Sequence, residues 1–548
     1  MIPEYIKSMP IEEKVAHLII TRGCNHIPRI TGMVKDGKIG GIGAAALVKK
    51  DFDSVIDQLN EWKSLSPIPL FLYVDAEWGL AQVMQCGTRL PHAMALSAAE
   101  NSEEMAVLHA RVVAREAKAL GFHIVSNGVL DINSNPKNPI ICTRAFSDDA
   151  DEVIRLNRAY MNTMQEEGII PTGKHYPGHG DTAEDSHMAM PVVNRSKKEL
   201  YDVELRPYRE IGNDMWGVMT AHIYYPALAG DDEEGVPATL SRTVLYDILR
   251  GEFGYENLIF SDSLTMKGIK DKYGLSAAIG AINAGHDLIL QDYADDPINT
   301  YNAVLAAAKS GEIPMEYIDE SLSRIMSFKE KLGCMKNAPV DREAARKIVS
   351  CPEHIEAAKT IAKSSVTAIE NKTLPLDKKK VGKVLIISTV GPEEESIIAD
   401  LGISSGLASY AIGESIKRYC DADVKRIPEA PDAKTVDEIL ELSSKYDTVI
   451  SASFIRTSSY KATGVQMASE QIRLITSLSE KDSITYVPLF FGSPYVLSEL
   501  PEFESALLAY SDDIYSIEAV SDALFGEFAP TGRLPVKVGE KYIRGYRA

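Results

Sequence analysis

"GIIPTGKHYPGHGDTAEDSHMAM", Gly168 to Met190, changes character half-way along. It begins as a short apolar run. From Lys174 onward it holds His175, His179 and His187 with the acids Asp181, Glu184 and Asp185, punctuated by glycines and a proline. A short apolar run bounded by turn residues reads as a strand buried on both faces. Titratable side chains gathered where such a strand ends point to a functional loop at the C-terminal edge of a parallel sheet.

The pattern recurs through the first 330 residues. Apolar runs stand at "HLIITRG" (17–23), "GGIGAAALV" (40–48), "IPLFLYVDAEWG" (68–79) and "GFHIVSNGVLDIN" (121–133). Others follow at "WGVMTAHIYYP" (216–226), "NLIFSDSLTM" (257–266) and "GHDLILQDY" (285–293). Amphipathic stretches such as "NSEEMAVLHARVVAREAKAL" (101–120) and "DDADEVIRLNRAYMNTMQEEG" (148–168) separate them. Strand-helix alternation implies a parallel sheet, and seven or eight units fit a (β/α)8 TIM-like barrel. The polar residues fall just after the apolar runs: Asp75 and Glu77, Asp131 and Asn133, Lys174 and His175, His222, Asp262, then Gln291 and Asp292. In a parallel barrel all of these meet at one mouth, where active sites form.

From about 331 the texture changes. "VGKVLIISTV" (381–390), "YDTVISASF" (446–454), "SITYVPLFFGSPYVL" (483–497) and "SALLAYSD" (504–511) read as buried parallel strands with helical patterns between them. The expected organisation is a catalytic barrel over 1–335, a connecting segment over 336–365 and an αβα three-layer sandwich over 366–548.

At 548 residues the chain exceeds the size at which single cores stop growing. A formal net charge of −20 disfavours a nucleic-acid partner. Six scattered cysteines without a C-x-x-C pair argue against a zinc ribbon or a disulfide framework, and free thiols suit a reducing compartment. No run approaches the roughly 20 apolar residues of a membrane helix. No basic segment leads into an apolar stretch at the N-terminus. A cytoplasmic enzyme is the expectation.

Three chemistries compete for the loop 173–190. His175, His179, Asp181, Asp185 and His187 are competent metal ligands, but the loop lacks the H-E-x-x-H signature and no early strand carries H-x-H. An acid/base site would use "DSH": in extended backbone Asp185 and His187 point to one side, and a carboxylate beside an imidazole tunes it for proton transfer. Gly178 and Gly180 would let the loop move. A solvated turn is the third reading. Asp262 at the end of "IFSDSLTM" suits a nucleophile or, equally, a cap for the next helix.

"KHYPGHGDTAEDSH" together with "IFSDSLTM" resembles glycoside hydrolase family 3, in its β-N-acetylglucosaminidase branch. "DINSNPKNPIICTRAFSDD", "LPHAMALSAA", "MTAHIYYPAL" and "PATLSRTVLYDILRGEFGYENLIFSDSLTMKGI" look like family segments in the family's order. "FGSPYVL" and "ALFGEFAPTGRLPVKVG" look like the αβα domain of longer members. The resemblance implies Asp262 as nucleophile and His187 as general acid/base partnered by Asp185. It implies Asp75, Arg144, Lys174 and His175 as holders of the sugar hydroxyls and part of its acetamido group. It implies no metal and no cofactor. Two departures stand out: "DAEWGL" replaces D-x-E-G-G, bringing in Trp78, and Val83 stands where many members carry arginine. Arg89 is near in sequence.

The expected function is therefore a retaining exo-β-N-acetylglucosaminidase acting on muropeptides or chitooligosaccharides through a covalent glycosyl-enzyme. Two alternatives stay open: a family 3 β-glycosidase or phosphorylase of altered specificity, with inorganic phosphate as acceptor, and a non-catalytic sugar-binding barrel. The C-terminal domain has two open roles, packing beside the mouth or bracing a homodimer.

Overall fold

The structure, a computed structural model, describes every residue except 1, 23–26, 48–49, 185–189, 292–295, 393, 395–406 and 457–464. By its contacts the chain divides into two units. The first comprises Met1–Arg89, Ala106–Asn135 and Ala150–Ile355; the second comprises Leu90–Met105, Pro136–Asp149 and Glu356–Ala548.

The first unit is a closed barrel of eight parallel strands in sequential order. They are β1 (Ile19–Thr21), β2 (Gly41–Gly43), β3 (Phe71–Asp75), β4 (Ile124–Val129), β5 (Ile170–Tyr176), β6 (Gly217–Thr220), β7 (Leu258–Ser263) and β8 (Leu288–Gln291). Each of the eight apolar runs supplies one strand. β8 returns to pair with β1, Ile19 opposite Ile289 and Thr21 opposite Gln291. Helices cover the outside through one apolar stripe. In Ala150–Glu166, Val153, Asn157, Tyr160 and Met164 are buried at three- and four-residue spacing. Asn157 earns its place in that stripe by donating to the carbonyls of Val129 and Val153, both at 3.0 Å.

In the second unit a mixed sheet runs in the order β11-β10-β12-β13-β14-β9. Its strands are β9 (Thr367–Asn371), β10 (Val384–Val390), β11 (Ala422–Pro428), β12 (Thr448–Ile455), β13 (Thr485–Gly492) and β14 (Ser505–Ala509). All pairs are parallel except β14 with β9. Alternate residues feed two separate cores. Leu385, Ile387, Phe490 and Leu508 pack with Val436, Ile439, Leu474 and Ile475 of the helices Ala433–Ser443 and Ser469–Ser479. Val384, Ile386, Leu489 and Leu507 pack with Ile412, Ile416, Ile517 and Val520 of Ala408–Lys417 and Ile514–Leu524. The period-two alternation of strand side chains thus produces the three layers. The excursions from the N-terminal half join this unit through hydrogen bonds: Ser147 Oγ donates to Pro535 O at 2.6 Å, and Arg533 N to Ala98 O at 2.8 Å.

The N-terminal end of the barrel is closed by a buried ammonium. Lys329 Nζ donates to His17 Nδ1 at 2.9 Å, Gly40 O at 3.0 Å and Pro69 O at 2.6 Å, just ahead of β1, β2 and β3. Burial pulls Lys329 down to about 7, while the three acceptors use every proton of the charged form. Lys329→Met strips Pro69 O and His17 Nδ1 of this donor. It is expected to cost about 3 kcal/mol in urea unfolding, since buried groups lose charge-assisted partners. A loss below about 1 kcal/mol would show that the three bonds only balance the desolvation of the ammonium.

Candidate active site

Because the barrel is parallel, the polar residues that end its strands lie at one mouth. Asp75 is the last residue of β3. Its Oδ2 accepts from Arg22 Nη2 at 2.5 Å and its Oδ1 from the Tyr73 hydroxyl at 2.8 Å. Tyr73 is buried, and Asp75 stands opposite Ser126 of β4 in the strand register. Ser126 in turn receives Lys174 of β5, whose Nζ lies 2.9 Å from Ser126 Oγ, 3.2 Å from Ser126 O and 2.6 Å from Glu77 Oε1. The structure thus pairs Asp75 with Arg22 and Lys174 with Glu77, and the register of β3 with β4 sets the two groups side by side. All three protons of the Lys174 ammonium are engaged by Ser126 and Glu77.

His175 belongs to a second cluster, on Asp131. Asp131 follows β4 and is fully buried. Its Oδ1 accepts from the backbone N–H groups of His175 (3.0 Å) and His179 (2.6 Å), and its Oδ2 lies 2.7 Å from His175 Nδ1. Burial alone would raise this carboxyl; the His175 ring, with the help of His179 and the backbone donors, more than offsets that and holds it low. Facing a carboxylate, His175 Nδ1 must carry the proton. His179 Nδ1 is 2.8 Å from Thr182 Oγ1, and the two imidazoles meet edge to face with centroids 5.7 Å apart. The peptide bonds Lys174–His175 and Tyr176–Pro177 are cis.

Asp262 is the fifth residue of β7 and its one half-exposed side chain. Its Oδ1 accepts from Ser263 N at 2.7 Å. Arg144 is described with the second unit, where it ends the turn Cys142–Arg144 and donates from Nη1 to Ile140 O at 3.0 Å. Asp185 and His187 lie outside the described residues, as does Asp292. Among the described residues no group of three His, Cys, Asp or Glu side chains is placed to hold a metal ion. No described helix is long and apolar enough to cross a membrane.

The root of the loop that leads to 185–189 is described, and its glycines do something other than confer mobility. A Cβ on Gly180 would lie 1.6 Å from Ile132 O, and one on Gly178, at φ +148°, would lie 2.7 Å from Glu204 Cβ. Both are required by close packing. Arg195 grips Asp181 with two bonds of 2.7 Å and stands 3.6 Å from Glu204 Oε1. Arg22, Glu77, Asp131, Arg195 and Glu204 were not given roles by sequence reasoning. For Glu77 and Asp131 the signal was present, since both follow apolar runs. For Arg195 and Glu204 there was none.

The family model "Glycosyl hydrolase family 3 N terminal domain" matches residues 10–328, and "Glycosyl hydrolase family 3 C-terminal domain" matches 368–543. The chain belongs to glycosyl hydrolase family 3. It is 26% identical over 549 residues to a β-N-acetylglucosaminidase/β-glucosidase of Cellulomonas fimi, spanning 97% of this chain and 94% of that protein. It is 30% identical over 376 residues to β-hexosaminidase A of Pseudoalteromonas piscicida, spanning 64% of this chain and 62% of that one. Among solved structures, a family 3 β-N-acetylglucosaminidase from Paenibacillus sp. str. FPU-7 superposes with a TM-score of 0.83 at 29% identity, over 97% of this chain and 99% of that chain. A β-glucoside phosphorylase shares the fold at 23% identity, with a TM-score of 0.83 over 97% of this chain and 94% of that one. This family 3 chain is a glycoside hydrolase.

Glu204 makes the loop root sensitive to pH. It is buried, and neither carboxyl oxygen takes a hydrogen bond from the described residues. Burial pushes it up to about 7, with Arg195 opposing. The folded state therefore keeps a proton that an unfolded glutamate releases near 4.5, so wild-type stability falls as pH rises from about 4.5 to 7 and is level above that. Glu204→Gln cannot ionise. Its stability relative to wild type should grow across that window by about 3 kcal/mol, from the size of the shift. Urea unfolding at pH 5, 6 and 8 measures it; a difference independent of pH would contradict the assignment.

Proposed function

We propose that this family 3 hydrolase is an exo-acting, retaining β-N-acetylglucosaminidase. The observation that carries the reading is the convergence of Asp75, Lys174, His175 and Asp262 on the C-terminal ends of β3, β5 and β7. The relatives named for acetamido sugars support the same choice.

Asp262 attacks the anomeric carbon while His187, tuned by Asp185, protonates the leaving oxygen. Bond making at the carbon and bond breaking at the oxygen leave a covalent glycosyl-enzyme. His187, now neutral, takes a proton from water, whose oxygen releases the sugar with its configuration retained. Asp75, His175 and Arg144 hold the sugar. A hydroxyl that reaches Lys174 displaces one of its Ser126 contacts. Asp131 holds the proton of His175 on Nδ1, which leaves Nε2 as the ring atom that faces a sugar hydroxyl. The substrates are terminal β-linked N-acetylglucosamine residues of muropeptides or chitooligosaccharides. The setting is the cytoplasm, in keeping with five described cysteines that are all free thiols.

A broader specificity is the second reading. It is favoured by the double name of the Cellulomonas fimi relative and by Trp78 and Val83, which follow Asp75 closely in sequence. A neutral imidazole also repels an incoming anion less than a carboxylate would, which keeps inorganic phosphate open as an acceptor.

Aryl β-N-acetylglucosaminide and aryl β-glucoside, each with and without phosphate and in the presence of a chelator, distinguish these readings. The acetamido substrate should be cleaved faster, releasing the β-anomer first, and Asp262→Asn should lower kcat by at least about 10³-fold, as loss of a nucleophile does. Full activity in that variant would remove Asp262 from its role. Release of the α-anomer would exclude the covalent intermediate, and sugar-1-phosphate as the main product would make the enzyme a phosphorylase.

A further inference from the structure

Behind Asp262 lies a buried chain of polar side chains that the proposed reaction leaves unused. His222, just past the end of β6, is 1% exposed. Its Nε2 is 2.8 Å from the carbonyl oxygen of Ser263, and its Nδ1 is 2.8 Å from Thr239 Oγ1. Thr239 Oγ1 lies 3.2 Å from Thr220 Oγ1 and 2.9 Å from Ala221 O. Thr220 Oγ1 lies 2.9 Å from Nε2 of the fully buried His286, whose Nδ1 faces Ala281 O at 2.9 Å.

The proton positions follow from these partners. A carbonyl only accepts, so His286 carries its proton on Nδ1 and His222 carries one on Nε2. Burial keeps His286 neutral near pH 7, its value falling to about 4. Its Nε2 is then a bare acceptor facing the Thr220 hydroxyl. His222 is thus anchored with an N–H aimed at Ser263.

Ser263 bonds Asp262 directly. Its N–H holds Asp262 Oδ1 at 2.7 Å, and its carbonyl receives both His222 Nε2 and the N–H of Met266, the latter at 3.1 Å. Two donors on its carbonyl fix the Ser263 peptide, and its N–H ties the carboxylate to that fixed main chain. A nucleophile held in its attacking geometry avoids the entropy and solvent cost of finding it.

We propose that His222 is a positioning residue for the Asp262 carboxylate, acting through the main chain of Ser263. The proposal rests on the reading of Asp262 as nucleophile. It assigns His222 no contact with the sugar, so its loss should lower kcat and leave sugar affinity unchanged.

The test is a pair of backgrounds. In the wild-type enzyme, His222→Leu should lower kcat on an aryl β-N-acetylglucosaminide about 30-fold, within the range that misplacement of a reacting group costs. The inhibition constant of N-acetylglucosamine and the melting temperature should change little. His222→Gln, which restores an N–H donor, should recover most of the loss. In the second background, Asp262→Gly, sodium azide takes the place of the missing carboxylate: a C–N bond forms at the anomeric carbon as the protonated aryl alcohol departs. There His222→Leu should have no effect, because the group it positions is gone. Thr239→Val keeps the imidazole but removes the hydroxyl at Nδ1, and it should show the same dependence on background with a smaller loss; it serves if His222→Leu does not fold. Equal losses in both backgrounds, an unchanged kcat, or a parallel loss of N-acetylglucosamine binding would overturn the proposal while leaving the nucleophile in place. Absence of azide rescue in Asp262→Gly alone would overturn the nucleophile reading itself.

Discussion

A single buried carboxylate, Asp131, organises the mouth of the barrel. It gathers the N–H groups of His175 and His179 and the His175 ring onto two oxygens. A fully buried charge is tolerated only when its lone pairs are satisfied by strong donors. Here the donors belong to the end of β5 and to the turn beyond it, so solvating the charge fixes the backbone. The strand-to-loop transition of "KHYPGHG" follows from that requirement. Gly180 completes it by allowing the chain to pass against Ile132, where no side chain fits.

The same logic closes most of the ring. Every strand end but that of β2 meets a polar partner on another strand: Arg22 after β1 with Asp75 of β3, Ser126 of β4 with Lys174 of β5, His222 after β6 with the Ser263 carbonyl of β7, Thr21 of β1 with Gln291 of β8. Parallel strands place side chains of like position at like height, so desolvated polar groups find partners across the seam. Polar order at the mouth is therefore a property of the whole barrel, and it preorganises charge before any sugar arrives.

Much of this was legible in the sequence, for a physical reason. Strands of a parallel barrel are covered on both sides and appear as uninterrupted apolar runs, and all eight were readable, as were β10, β12, β13 and β14. The strands that escaped are those at the edges of the second sheet. β11, "ADVKRIP", exposes three of its seven residues and carries Lys425 and Arg426, as edge strands do; β9 is a five-residue strand paired antiparallel. At the site, strand-end residues were visible as candidates, but their pairings were not. Asp131 and His175 are separated by 44 positions and Arg22 and Asp75 by 53, and only barrel closure brings them together. Asp185 and His187, the proposed proton-transfer pair, lie outside the described residues, so nothing but the resemblance speaks for them.

The buried charges divide by what their neighbours supply. Asp131 has donors for both oxygens and is held ionised at low pH. Among the described residues the cation facing Glu204 is Arg195, and Arg195 is already committed to Asp181 through two short bonds. Burial therefore wins at Glu204 and loses at Asp131, although both carboxyls flank one loop. The difference assigns them different jobs. A carboxylate that stays ionised can fix an imidazole tautomer across the working range of the enzyme. One that gains its proton near neutrality can instead couple the packing beneath Gly178 to pH, while Asp131 keeps the His175 side of the same loop unchanged.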